Sequence, residues 1–205
     1  MNSLRAAVLA GALVAATGSL APAAAELSNE VPSVGQLQEL PGVSRTRVVY
    51  ETPEVRLVRA DGERVSLARE LDDGRPVLLN FIFTTCSSVC PLASQTFAQF
   101  RDRLGTQVSG VHLMSISIDP EQDTPARLRE YARKYHAGPE WQYYTGSLDA
   151  SLAVQRAFDV YRGDKMSHTA VTLMRAAPGK PWLRIEGFVT PDDLVRDYRS
   201  LLAAR

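Results

Sequence analysis

Two short apolar runs, residues 77–83 (VLLNFIF) and 111–118 (VHLMSISI), constrain this chain more than any other feature. The first is near-continuously apolar, without the alternation of a strand with one wet face, and the second carries apolar residues on both of its faces, Leu113 on one and Met114, Ile116 and Ile118 on the other. Each reads as a strand buried on both sides, which requires a sheet covered by other layers on both faces. Between them, after Pro91, the residues Ala93, Phe97, Phe100 and Leu104 recur at helical spacing. A strand, a helix and a second buried strand in sequence are the unit of a parallel sheet with crossover helices. Hydrophobic residues make up 45% of the 205-residue chain, enough for such a core.

The same reading extends along the chain. Val55 and Leu57, then Asp61-Gly62, then Val65 and Leu67, predict a hairpin with a tight turn. Thr124-Pro125 starts a helix whose apolar face is Leu128, Tyr131, Ala132 and Tyr135. Residues 141–145 form a short strand, and Ser147 caps a helix ending near Phe158. Residues 169–174 and 182–188 are two further strands parted by an Ala177-Pro178-Gly179-Lys180 turn. Thr190-Pro191 then opens a last helix with Leu194, Tyr198, Leu201 and Leu202 on its buried side. The order is a hairpin, then β-α-β-α-β-α, then β-β-α. That is the thioredoxin plan with an N-terminal hairpin and an added helix at 124–135: an α/β fold with a mostly parallel central sheet and helices on both faces.

Residues 1–25 differ from the rest. Arg5 precedes an uncharged Ala-, Leu- and Val-rich run, which Gly18, Ser19 and Pro22 break near its end. Ala23-Ala24-Ala25 then offers small residues for a signal peptidase, before Glu26, the first acid. This predicts a signal peptide over 1–25 and export to the periplasm or an equivalent compartment. The alternative is an uncleaved membrane anchor, since about 20 apolar residues span a bilayer; the Ala-rich composition and Pro22 favour cleavage. Residues 26–45 lack periodicity and read as a linker or N-terminal arm, with the thioredoxin-like domain at 46–205. The formal charge is +0, which gives no reason to expect a nucleic-acid partner.

Export sharpens the meaning of the two cysteines. A structural disulfide usually closes a long loop, but Cys86 and Cys90 enclose only residues 87–89. Such spacing suits a redox pair or a metal site. Cys86 follows the first buried strand and Cys90 falls in the first turn of the next helix, where backbone N–H groups and the helix dipole stabilise a thiolate. Of the three histidines, His112 lies inside the second strand and His136 ends a helix. His168 precedes the strand at 169–174, in a loop expected to face the cysteines. Two thiolates and an imidazole suit a soft metal such as Cu(I), or Zn with a fourth ligand. Asp119, at the exit of the second strand, is a candidate weak axial ligand or a support for the ligands, or else simply shapes the Asp119-Pro120 turn. Met166 is a soft side chain beside His168, and packing is the plainer role for it.

At these residues the chain resembles the Sco/SenC family of thioredoxin-like copper proteins, which help build the copper centre of cytochrome c oxidase. The resemblance rests on VLLNFIFTTCSSVCP (77–91), SISIDPEQDTPARLREYARKY (115–135) and VYRGDKMSHTAVTLM (160–174). It implies that Cys86, Cys90 and His168 are copper ligands, that Asp119 is the acid often found near them, and that copper, as Cu(I) or Cu(II), is the bound metal. Two features depart from the family pattern. Ser87-Ser88 stands where Pro-Asp is common, and Ser167 stands where Asp commonly precedes the histidine. These leave the ligands intact and bear on partner recognition.

Two functions follow. A metallochaperone would hold copper through all three residues and pass it to a copper-accepting respiratory protein. A thiol-disulfide oxidoreductase would need only Cys86 and Cys90, cycling with a thiol-disulfide donor to keep cysteines of a copper protein or apocytochrome reduced. His168 separates the two. A peroxidase-like role would turn Cys86 into a sulfenic acid resolved by Cys90. A zinc hydrolase is disfavoured because no Glu lies beside the ligands as a base, and a dead binding module because all three residues are present.

Overall fold

The computed structural model describes residues 42–204; the predicted signal segment 1–25 and most of the predicted arm lie outside them. Eight strands form a single sheet: β1 (Ser44–Val48), β2 (Arg56–Arg59), β3 (Arg64–Ser66), β4 (Val77–Ile82), β5 (His112–Ser117), β6 (Trp141–Thr145), β7 (Val171–Arg175) and β8 (Trp182–Glu186). Their spatial order is β1-β8-β7-β4-β5-β6-β2-β3. Five helices accompany them: α1 (Leu67–Leu71), α2 (Val89–Leu104), α3 (Pro125–Lys134), α4 (Leu148–Ala157) and α5 (Pro191–Ala203).

The expected parallel sheet is found at the centre, where β4 pairs with β5 and β5 with β6 in parallel. The other pairings are antiparallel: β4 with β7, β7 with β8 and β8 with β1 on one side, β6 with β2 and β2 with β3 on the other. The parallel part is thus three strands wide, because only β4, β5 and β6 are joined by crossover helices. Every residue of β4 and β5 is buried, the polar Asn80, His112, Ser115 and Ser117 among them, as expected of strands covered on both faces.

Side chains alternate across the sheet, and both faces are covered. On one, the Trp141 indole N–H donates to Ser115 Oγ (2.9 Å), whose hydroxyl donates to Asn80 Oδ1 (2.7 Å); the Phe97 ring of α2 packs on Trp141 at 5.7 Å. On the other, Phe81 packs on Phe158 at the end of α4, with ring centroids 6.0 Å apart. Phe158 in turn meets Trp182 edge-on at 5.6 Å. Each such side chain taken fully out of water contributes about 1.5–3 kcal/mol, so β4, flanked on both faces, tolerates truncation poorly.

Helix starts follow the sequence signals. Thr124, Ser147 and Thr190 each accept a backbone N–H of the first turn, from Arg127, Ala150 and Asp193. Three elements depart from expectation. The last residues of the predicted arm belong to β1, a strand without apolar periodicity that exists because β8 offers it a partner. Leu67 starts helix α1 rather than ending a hairpin strand. Gly187 sits at φ +96°, and a Cβ there would meet the Gly42 carbonyl oxygen at 2.9 Å, so only glycine lets the chain entering β1 pass beside the end of β8.

Candidate metal centre

The sequence after β4 carries Cys86 out of the sheet and into α2 within a few residues. The Cys86 backbone N–H donates to the Phe83 carbonyl (3.1 Å), which closes the loop. Ser88, the residue before α2, makes no side-chain cap, and the first turn holds no acidic residue. The Cys90 N–H instead donates to the Cys86 sulfur at 3.4 Å. Cys86 therefore fills the anion-seeking position at the helix N-terminus that an Asp or Ser oxygen usually occupies.

The two thiols are free and chemically unequal. Cys86 is half-buried; that burial pushes its thiol up, but hydrogen bonds from the Cys90 and Ser88 backbone and from the Ser88 hydroxyl outweigh it and leave the thiol below its ordinary value. Cys90 is fully buried, and burial, together with the Cys86 sulfur and the Asp123 carboxylate, pushes its thiol far up.

His168 follows a 3₁₀ turn, Lys165–Ser167, whose start is capped by Asp164 accepting the Met166 N–H (2.9 Å). The imidazole is buried, and its Nε2 lies 3.1 Å from the Phe81 carbonyl oxygen of β4. A carbonyl only accepts, so Nε2 carries the proton. Burial lowers the ring's proton affinity, as does Arg162, against the pull of the Phe81 carbonyl. The ring is neutral, and its free lone pair is on Nδ1. His168 also lines a cleft of about 510 Å³ with Val89, the residue between the cysteine loop and Cys90. The structure thus brings His168 to the strand and helix that carry both cysteines. Among the described residues, however, no three His, Cys, Asp or Glu side chains converge closely enough to hold a metal ion.

Asp119 is buried with its carboxylate on Lys165 Nζ at 2.6 Å, while its carbonyl accepts the Gln122 and Asp123 N–H groups at 3.1 and 2.9 Å. It shapes its turn and holds a lysine. Asp119, Lys165 and His168 line one cleft of about 670 Å³. The other histidines are elsewhere. His112 is buried against Glu70, Asp73 and Tyr144. His136 is exposed, in a left-handed conformation at φ 51° after α3. Met166 is 70% exposed, so packing is not its role.

Sequence reasoning passed over two residues. Asp123 has no exposed surface and accepts from the Thr84 backbone N–H (3.1 Å), the Thr84 hydroxyl (2.5 Å) and the Ser117 hydroxyl (2.6 Å). It pins the segment leading to Cys86 onto the end of β5. Lys165 pairs with Asp119 and stands 5.8 Å from the centroid of the Phe83 ring. Both lie inside distinctive sequence stretches, and the third acid of Asp-Pro-Glu-Gln-Asp-Thr-Pro, just before the Thr124 cap, is the one available signal for Asp123.

Comparison with known proteins agrees with this architecture. The model of the SCO1/SenC family matches residues 48–203. The SCO1 protein homolog of Bacillus subtilis is 33% identical over 162 residues, covering 74% of this chain and 82% of the relative. The structure of Arabidopsis thaliana ScoI with copper bound superposes with a TM-score of 0.63 at 25% identity, covering 75% of this chain and 98% of that one. A structure of BsSco, described as containing a disulfide switch and as a member of the Sco family of cytochrome c oxidase assembly proteins, superposes at 0.65 and 25% identity, covering 78% and 98%. With a family match across the whole domain and a close relative over most of it, this chain belongs to the SCO1/SenC family.

Proposed function

We propose that this protein is an exported copper chaperone that binds copper through Cys86, Cys90 and His168 and delivers it to a respiratory copper centre such as that of cytochrome c oxidase. The observation that carries the reading is the His168–Phe81 bond. It ties a neutral imidazole, with its proton fixed on Nε2, to the strand that delivers the dithiol. Metal-binding histidines commonly donate their second N–H to a carbonyl in this way, which fixes the tautomer and aims the other nitrogen. Two sulfurs and one imidazole nitrogen are a soft set that suits Cu(I). The copper-bound Arabidopsis relative and the link of BsSco to oxidase assembly support the cargo and the destination. The segment 1–25 supports export into the periplasm, with an uncleaved anchor as its alternative; among the described residues no helix is long and apolar enough to cross a membrane.

Loading proceeds from the residues outward. The more acidic, half-exposed Cys86 meets the metal first. Cys90 gives up its proton on binding, since only a thiolate is a strong ligand, and approach of Nδ1 of His168 completes the set. Exchange with a partner's disulfide, which leaves as a dithiol with the two electrons and two protons, converts the pair to a disulfide and removes both sulfur ligands, so the thiol state would gate release.

The unequal thiols favour a second reading, thiol-disulfide exchange, in which Cys86 attacks a partner's disulfide and Cys90 resolves the mixed disulfide. A titration of the reduced protein with Cu(I) against a competing chelator, beside His168→Ala, separates the two. The chaperone predicts one tight equivalent that the substitution weakens at least tenfold, or about 1.4 kcal/mol. Equal affinity in both proteins rejects the three-ligand site and leaves the exchange reaction as the better account.

A further inference from the structure

Lys165 stands where the separate arms of the site meet. Its ammonium donates to Asp119 Oδ2 at 2.6 Å, on the turn that leaves β5. The same ammonium lies 5.8 Å from the ring centroid of Phe83, at the start of the cysteine loop. Its own carbonyl accepts the His168 N–H at 3.1 Å. The connection continues inward: the Asp119 N–H donates to Ser117 Oγ (3.0 Å), and the Ser117 hydroxyl donates to Asp123 (2.6 Å), which holds Thr84. One polar path therefore runs from the backbone of His168 to the residue two places before Cys86. Asp119 and Asp123 are buried along it, where an unmatched partner is costly and the geometry is correspondingly well defined.

We propose that Lys165 is a positioning residue for copper capture: anchored on Asp119, it sets how the loop bearing His168 approaches Cys86 and Cys90. The proposal rests on the three-ligand copper reading and adds to it a residue that touches neither metal nor thiol. A 3₁₀ turn as short as Lys165–Ser167 has few hydrogen bonds of its own. Its exposed neighbours Met166 and Ser167 add little packing, so the turn is attached to the domain by the Lys165 side chain on one side and by the buried His168 ring on the other.

The test uses the reduced protein, with Lys165→Met to keep length and remove charge, and Lys165→Arg to keep charge. Each is made alone and in a His168→Ala background. Cu(I) affinity is measured by chelator competition. In the metal-free protein, amide hydrogen exchange is followed at Ser167 and His168. Removing an outer support of a metal ligand weakens binding about 10–100-fold, so Lys165→Met is expected to weaken Cu(I) binding at least tenfold. It should add no further loss to His168→Ala, and it should speed exchange at His168 without altering exchange in β4. Lys165→Arg is expected to restore most of the affinity. Equal losses in both backgrounds, or no loss and no change in exchange, overturn the proposal while leaving the three-ligand site standing. A His168→Ala protein that binds Cu(I) as tightly as the parent overturns the copper reading itself, and the proposal with it.

Discussion

Cys86 and Cys90 have the same chemistry on paper and opposite surroundings in the fold. One sulfur accepts N–H groups at a helix end and is half-exposed; the other is sealed beneath it with a carboxylate nearby. Alkylation of the reduced protein with iodoacetamide near pH 7.5, read by mass spectrometry, is expected to modify Cys86 at least ten times faster than Cys90, because thiolate content and access act in the same direction. Comparable rates would mean that the sulfurs exchange surroundings in solution. The pair and its place at a strand-helix junction were legible from spacing and sequence order. Asp123 and Lys165 were not. An acid's role depends on whether it is dry and what it faces, and the contacts of both residues cross between segments far apart in the chain. Met166 shows the reverse case: packing is the ordinary role for a methionine, and its exposure removes that role.

At the level of elements, the caps give a direct comparison. Ser147 accepts a backbone N–H of α4, whereas Ser88 caps nothing because the Cys86 sulfur takes that place in α2. Ser147→Ala is expected to lower stability by about 1 kcal/mol. Ser88→Ala is expected to change it by less than about 0.5 kcal/mol while altering the reactivity of Cys86, whose sulfur lies 3.9 Å from the Ser88 hydroxyl. Urea unfolding of both variants checks this, and an equal loss at Ser88 would show that its hydroxyl does cap α2. The same comparison explains which elements the sequence reveals. Thr124-Pro125 and Thr190-Pro191 announce helices locally, and β4 and β5 announce themselves by continuous burial. Residues 44–48 (SRTRV) carry no such mark. Their strand comes from the unpaired edge of β8, and the antiparallel outer parts of the sheet are set in the same way by partners distant in sequence.

For the molecule as a whole, pH acts through His112 at the end of the sheet away from the cysteine loop. Burial and the Arg75 guanidinium push its proton affinity down, against the pull of Asp73, 2.9 Å from Nδ1, and of Glu70. The folded protein therefore keeps this ring neutral at pH values where the unfolded chain protonates it. Above about pH 6.5 the group leaves stability unchanged. As pH falls from there towards the depressed folded value, stability drops by up to about 1.4 kcal/mol per unit. Urea unfolding between pH 5 and 7 is expected to show a slope of this sign, shallower in His112→Gln. Identical slopes in the two proteins would place the acid sensitivity elsewhere. The sheet also has a history built into its order. β4, β5 and β6 reach one another through nearby crossover helices, but β1 pairs with β8, which lies near the opposite end of the chain. Of the described strands, β1 emerges first during synthesis and its partner β8 last. Until residue 186 has appeared, the central strands can assemble but the sheet cannot close along that side.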